Sequence, residues 1–335
     1  MSPARLDEIL SRAGSQRLLV LGDLMLDEFV WGKVGRISPE APVPVVEVTS
    51  ETSYPGGAAN VARNLREFAQ SVAVVGLVGS DRGGRELRRL LDAGQIDTAH
   101  VLEIAGFATI VKTRIIARQQ QVVRVDREQI CPPDATQVAR VIESVRAELP
   151  RADGIIIEDY GKGFLTSELV EQVSELARTA GKIVTVDPNP RHAIAWRNVT
   201  AVKPNRSEAF AAAGVPWTDP IEPPDEDVAL RIVGTELLRQ WDTQYLLITL
   251  GEHGMMLFER NGPTHHIPTK ARQVFDVSGA GDTAIALFTL ALCCGATARE
   301  AAEVANHASA VVVAKLGTAT VSPAELRASF DDDCA

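Results

Sequence analysis

From about residue 134 the chain repeats one alternation, and that rhythm restricts the fold more than any single residue does. PDATQVARVIESVRAEL, apolar at helical spacing, precedes DGIIIEDYG, a short continuous apolar run. TSELVEQVSELARTAG precedes KIVTVDPNP, TAVKPN leads into RSEAFAAAG, and EDVALRIVGTELLRQW precedes YLLITLG. Short strands apolar on both faces, separated by helices, form a parallel sheet whose connections cross over it. The N-terminal part follows suit. RLLVLGDLMLDEF begins as a buried strand feeding a loop, and GGAANVARNLREF reads as a glycine-led helix. SVAVVGLVG is a second buried strand, and DRGGRELRRLLDAG is a helix opened by Asp and closed by Gly. Two Ala-rich helices, near 281–295 and 298–315, end the pattern. The expected fold is α/β, a doubly wound, mainly parallel sheet covered by helices.

Two segments stand outside this rhythm. FVWGKVGRI and PVPVVEVTS alternate with β-branched residues and are broken by SPEAP, whose prolines limit regular pairing. TIVKTRIIARQQQVVRVDRE reads as a hairpin about Arg118 to Gln121. Together, about 28–53 and 107–127 make a small discontinuous β unit, either a lid over a site or a plain extension of the sheet. The expected organisation is one domain over 1–335 carrying this unit.

Charge excludes some partners. Lys and Arg total 34 against 44 Asp and Glu, a net charge of −10. Nucleic acid is not bound through bulk charge here, so an anionic ligand must be held by local amides and a few placed cations. Cys131, Cys293, Cys294 and Cys334 show no C-x-x-C spacing, which argues against zinc and against a disulfide scaffold. MSPARLDEILSRAG lacks the apolar core of a signal peptide. The longest uncharged stretch, Thr283 to Ala298, has 16 residues, short of the roughly 20 that span a bilayer. A cytoplasmic protein without nucleic-acid or membrane partners is expected.

FDVSGAGDTAIALFTLAL carries the most chemistry. A strand-like QVF leads to Asp276, then a Gly279-Ala280-Gly281 turn, then Asp282 opening a long uncharged helix. The turn and first helical amides can form an anion hole backed by the helix dipole. Asp282 reads either as an N-cap or as a base at a site of phosphate chemistry. No Lys follows the last Gly, so this is not the Walker pattern. In ITLGEHGM, Thr249, Gly251 and Gly254 offer a hydroxyl and exposed amides at a strand end, or form a plain hairpin turn. In VKPNRSEAF, Asn205 and Glu208 suit hydrated Mg²⁺ or form a capping box. Gly56 and Gly57 precede a helix with Asn60 in its first turn, a setting for sugar hydroxyls or for close packing. Asp23 and Asp27 follow the first strand as hydroxyl acceptors or solvated loop residues.

Singly these signals are weak, but their order is specific. From about residue 16 to 325 the chain resembles the ribokinase-like (PfkB) carbohydrate kinases. GGAANVARNL through VGLVGSDRGG matches one family signature and DVSGAGDTAIALF the other, with T-x-G-x-x-G and N-x-x-E between them. Within the family it looks most like heptose-phosphate kinases of the lipopolysaccharide core pathway. GDLMLDEFVWGKVGRISPEAPVPVVEV, ARQQQVVRVDRE and VVVAKLGTATVSPAEL carry that likeness. It implies the kinase half of a protein whose bifunctional members add a nucleotidyltransferase domain.

The resemblance assigns expected roles. Asp282 becomes the base, with the amides of Gly279, Ala280 and Gly281 holding phosphate charge. Asn205 and Glu208 position Mg²⁺ through water, Asn205, Thr249, Gly251, Gly254 and Asn306 serve ATP, and Asp276 supports a monovalent cation such as K⁺. Asp23, Asp27, Gly56, Gly57 and Asn60 face the sugar. Lys112, Arg118 and Lys162 are expected to clamp its phosphate, with Arg191 as a further candidate, although Asn189-Pro190 departs from the family's usual Lys-Gly. The implied reaction is ATP-dependent phosphorylation of D-glycero-β-D-manno-heptose 7-phosphate at the anomeric hydroxyl, in a homodimer joined through the lid. Other sugar, sugar-phosphate or nucleoside kinases and a non-catalytic sugar-phosphate sensor are the alternatives. A dinucleotide-dependent dehydrogenase is disfavoured, since VLGDLML lacks G-x-G-x-x-G.

Overall fold

The computed structural model describes residues 1–118, 120–271 and 274–331, so Cys334 and the Gln273 of QVF lie outside them. Helix α1 (Pro3–Ala13) leads to β1 (Arg17–Gly22), β2 (Leu24–Ile37), β3 (Pro44–Gly57), α2 (Ala58–Arg66), β4 (Ser71–Gly79) and α3 (Arg82–Ala93). Next come β5 (Val101–Ile104), β6 (Ile110–Ala117), β7 (Gln120–Arg127), α4 (Ala135–Glu148), β8 (Gly154–Glu158) and α5 (Ser167–Thr179). The chain continues through β9 (Ile183–Asp187), β10 (Ala201–Val202), α6 (Arg206–Ala213), α7 (Val228–Trp241) and β11 (Tyr245–Thr249). It closes with β12 (Met255–Glu259), β13 (Thr264–Ile267), α8 (Ala280–Cys293), α9 (Ala298–Val313) and α10 (Pro323–Asp331).

Nine strands form one sheet in the order β13-β12-β11-β10-β9-β8-β1-β4-β5. It is parallel from β11 to β5, and β12 and β13 add an antiparallel edge that the sequence rhythm did not announce. Alternation along β1 splits the core. Leu18 and Val20 join the apolar layer that holds α8 and α9, while Leu19 and Leu21 join the layer holding α5 and α7. Both faces are thus covered, as parallel strands require. The Ala-rich α8 packs closely on α9 and α2, and all its residues from Asp282 to Leu292 are buried. Among the described residues, no helix is long and apolar enough to cross a membrane.

The second sheet, β3-β2-β6-β7, is the small unit expected outside the body. Several expectations change here. Only Asp23 separates β1 from β2, so the first strand feeds the small sheet directly and not a loop. The strands β2 and β3 have 14 residues each and pair from Leu24↔Gly57 to Ile37↔Pro44, because SPEAP falls in their connection and leaves both strands free to pair. The unit therefore covers 24–57 and 110–127, and Gly56 and Gly57 end a strand before the helix starts. Val274 and Phe275 belong to no strand.

Candidate active site

Asp282 lies in the first turn of α8, three residues past the N-cap, Gly279, which stands at φ +80°. It is therefore no N-cap. Its carboxylate turns sideways and is 5% exposed. Asn60 Nδ2 donates to Oδ2 at 2.6 Å, and the Tyr160 hydroxyl donates to Oδ1 at 2.5 Å. Asn60 comes from α2, which is tied to α8 a second time by Thr283 Oγ1 donating to Asn64 Oδ1 at 2.9 Å. Burial pushes the Asp282 carboxyl up to about 6, the two hydrogen bonds favour the charged form, and the nearby Asp187 opposes it. A buried carboxylate that is still ionised at neutral pH, at the positive end of a helix, can accept a proton beside a developing phosphate charge.

The helix start is open where a ligand would need it. A Cβ on Gly281 would meet nothing closer than Lys203 Nζ at 3.6 Å. The Ala280 amide, expected to serve phosphate, instead closes a turn on the Val277 carbonyl at 3.2 Å. A cleft of about 360 Å³ adjoins this end of α8. It is lined by Thr249, Gly251, Gly254, Asn306, Ala280 and Gly281, with Val274, Val277 and Val313 adding apolar surface. Gly251 at φ +61° has open space beside it. Gly254, at φ +85°, is structural: a Cβ there would fall 2.1 Å from the Ile267 carbonyl oxygen. Asn306 lines the cleft and donates to the Pro268 carbonyl at 2.7 Å.

Asn205 and Glu208 form a complete capping box on α6, with Asn205 Oδ1 accepting from the Glu208 amide and Glu208 Oε2 accepting from the Asn205 amide. One Glu208 oxygen thus remains for other work. Next to it, sequence reasoning missed a buried group: Glu158, Asp187 and Lys203, at the ends of β8, β9 and β10. Lys203 Nζ pairs with Asp187 at 2.8 Å. Burial would lower the Lys203 ammonium, but Asp187, Glu158 and Glu208 outweigh it and raise it. Burial pushes Asp187 up to about 6. Burial with the charges of Asp187 and Asp282 holds Glu158 well above the carboxylate range. Glu158 Oε2 is buried with no partner. Among the described residues, no three His, Cys, Asp or Glu form a metal cage. The excess of hard oxygen donors and the orphaned Glu158 oxygen nevertheless fit a hydrated divalent cation here.

On the sugar side several expectations change. Asp23 is buried and accepts the amides of Tyr160 at 3.0 Å, Lys162 at 3.1 Å and Phe164 at 3.4 Å, so it pins the 159–164 loop. Asn60 is fully buried and spends its amide nitrogen on Asp282, while its Oδ1 is left buried without a partner. The space above Gly56 is taken by Asp27 Oδ2, 2.4 Å from where a Cβ would lie, and that above Gly57 by the Asp23 carbonyl oxygen at 2.6 Å, so the pair accommodates the protein's own atoms. Asp27 itself accepts from Arg114 Nη1 at 2.5 Å.

Lid register explains the cations. Asp27 pairs with Lys112 across β2 and β6, and Arg114 pairs with Arg124 across β6 and β7. Period-two alternation therefore sets Asp27, Lys112, Arg114 and Arg124 on one face. The Lys112 ammonium lies 5.3 Å from the Tyr160 ring centroid, and burial lowers its pKa. Lys162 reaches Glu128 at 2.6 Å. Arg118 sits on the hairpin turn at φ +49°, exposed, six residues beyond Lys112 and so roughly 20 Å further out. It does not join this cluster, and Arg114 stands in its place. Arg191 is exposed in the 188–193 loop. Asp276 accepts the amides of Ser278 at 2.9 Å and Gly317 at 3.1 Å.

Comparison with known proteins assigns the fold and the family. Bifunctional protein HldE of Desulfatibacillum aliphaticivorans is 42% identical over 318 residues, 95% of this chain and 64% of that protein. The chain spans somewhat less than two thirds of the length of such relatives. Arabidopsis thaliana ribokinase, solved with ribose and ATP, superposes with a TM-score of 0.72 at 17% identity, covering 94% of this chain and 99% of that one. Escherichia coli phosphofructokinase-2, solved with potassium, gives 0.75 at 18%, covering 96% and 100%. The fold is the ribokinase fold. Residues 15–325 match the pfkB family carbohydrate kinases, and the chain belongs to that family of sugar-phosphorylating enzymes.

Proposed function

We propose that the protein transfers the γ-phosphoryl group of ATP to the anomeric hydroxyl of D-glycero-β-D-manno-heptose 7-phosphate, giving the 1,7-bisphosphate for ADP-heptose synthesis. The observation that carries the kinase chemistry is Asp282, ionisable, buried and doubly hydrogen-bonded at the open N-terminus of α8. Asp282 takes the hydroxyl proton as the sugar oxygen bonds to the γ-phosphorus and the bond to the β-γ bridging oxygen breaks, releasing ADP. The Gly281 amide and the α8 dipole hold the transferring charge. ATP lies in the cleft along Thr249, Gly251 and Asn306. Asn205 and Glu208 hold Mg²⁺ through its waters, and the ion neutralises phosphate charge when bound. Asp276 supports a monovalent cation such as the potassium found with phosphofructokinase-2.

The heptose phosphate is favoured by the name of the 42%-identical relative and by a cluster of lid-side cations, of which Arg114, Arg124 and Lys162 rest on Asp27, Asp126 and Glu128. Lys112, Lys162, Arg114 and Arg124 can receive a second dianion, which a ribose or nucleoside kinase has no need to hold. The test is product identification by phosphorus NMR with the heptose 7-phosphate and ATP. A new anomeric phosphate signal with the 7-phosphate retained is expected. No turnover, with turnover of fructose 6-phosphate or ribose instead, would overturn the substrate.

A further inference from the structure

We propose that Tyr160 is a positioning residue with two tasks: its hydroxyl orients the Asp282 carboxylate, and its ring seats the lid cation Lys112. The proposal rests on Asp282 being the base.

Tyr160 follows β8 on a loop whose main chain is fixed, since Asp23 accepts three of its amides. From that anchor its hydroxyl reaches Asp282 Oδ1 at 2.5 Å. Asn60 holds the other oxygen. With one donor on each oxygen, the carboxylate plane is set from two separate elements, α2 and the loop after β8, and each oxygen keeps a lone pair for the incoming hydroxyl. The ring face meanwhile carries Lys112 Nζ at 5.3 Å from its centroid. One side chain thereby links the base in the body to the cation in the lid.

A donor on the carboxylate favours its ionised form. The charged and titratable groups facing Asp282 are Glu158 from β8, Tyr160 after it, Asp187 from β9 and Lys203 after β10. Among them Tyr160 is the one that donates directly to the carboxylate.

Tyr160→Phe removes the hydroxyl and keeps the ring. It is expected to lower kcat about tenfold and move the acid limb of kcat/KM up by about one pH unit. KM for the sugar phosphate and for ATP is expected to stay within about twofold, because the ring still carries Lys112. Both enzymes meet the same substrate, so titration of its phosphate cancels in the comparison. Tyr160→Leu removes the ring as well and is expected to raise KM for the sugar phosphate a further 2- to 5-fold, roughly the worth of one cation–π contact. Lys112→Met is expected to raise that KM in the wild type and to add little in the Tyr160→Leu background.

An unmoved acid limb with wild-type kcat in Tyr160→Phe overturns the first task. Full additivity of Lys112→Met with Tyr160→Leu overturns the second. Should Tyr160→Phe fail to bind ATP, the Lys112→Met cycle, read in folded Tyr160→Leu or from Lys112→Met alone against an unchanged KM, decides the link to the lid. Near-normal turnover by Asp282→Asn overturns the base reading itself, whereas an inactive Asp282→Asn with an unmoved Tyr160→Phe limb overturns only the role of Tyr160.

Discussion

At the scale of the residue, Asp282 shows how far spacing can be trusted. G-A-G-D before an uncharged run located the helix start, yet the same string permits a cap or a base. What separates them is the direction of one side chain, and that is set by Asn60 and Tyr160, 222 and 122 residues away. Glu158, Asp187 and Lys203 were illegible for a related reason: single charges in IIIEDYG, VTVDPNP and AVKPN gain meaning only when three parallel strands end side by side. Asp282→Asn is expected to lower kcat by about 10²- to 10⁴-fold while ATP affinity, measured by calorimetry, changes less than twofold. Near-wild-type kcat would remove Asp282 as base. The same variant has a stability signature. The folded protein raises this carboxyl to about 6, so the group's contribution is fully present below its unfolded value near 4 and is lost as pH rises through 6. Asp282→Asn is therefore expected to melt above the wild type at pH 8, by roughly 1–3 kcal/mol, and to converge with it near pH 4. A lower melting temperature at pH 8 would show that the lost hydrogen bonds outweigh the buried charge.

At the scale of the element, the small sheet was visible as alternation but not as register. Lys112 was legible as a lid cation, and the register gives the rest: two residues on stands Arg114 with Arg124 opposite it on β7, while Asp126 stands opposite Lys112 and pairs with Arg124. Arg118 fails because it lies at the hairpin tip, and a turn residue at positive φ follows no strand alternation. Arg114→Met strands the carboxylate of Asp27, which is only partly compensated by Lys112 across the register. A loss of roughly 1–3 kcal/mol in a thermal or urea melt is expected, with a rise of at least fivefold in KM for the sugar phosphate and little change for ATP. Equal rises for both substrates would place Arg114 outside the sugar site. The turn between β11 and β12 makes the opposite case, in which a residue read as a ligand contact is first a steric requirement. Gly254→Ala puts a methyl against the Ile267 carbonyl and Thr269 amide at a φ that L-residues rarely adopt. A loss of at least about 2 kcal/mol is expected, and because the turn borders the cleft, weaker ATP binding should accompany it. An unchanged melt would mean that the turn relaxes freely.

At the scale of the whole molecule, a chain of net charge −10 that works on phosphates must sort its charges by face. The lid does so by alternation. Lys112, Arg114 and Arg124 share the face with Asp27, while Val123 and Val125, opposite Ile115 and Thr113, lie on the other side and are each about half exposed. Val48, opposite Gly32, adds to the exposed apolar area. The strands β3 and β7 are both edges of a four-stranded sheet, and among the described residues neither has a strand on its outer side. An apolar sheet face with two open edges is a surface that a second copy can cover, and the homodimer through the lid proposed from the family resemblance would use it. Light scattering on an eluting peak is then expected to give about 72 kDa, twice the 36.0 kDa chain. Val123→Asp with Val125→Lys should return the mass to that of one chain without unfolding it, since neither side chain belongs to the buried core. Because the opposite face carries Lys112, Arg114 and Arg124, to which the proposed function assigns the sugar phosphate, loss of the dimer is expected to raise KM for the sugar phosphate before it touches kcat. A wild-type monomer at tens of micromolar would overturn the lid interface, and a dimer that survives both substitutions would move it to another surface.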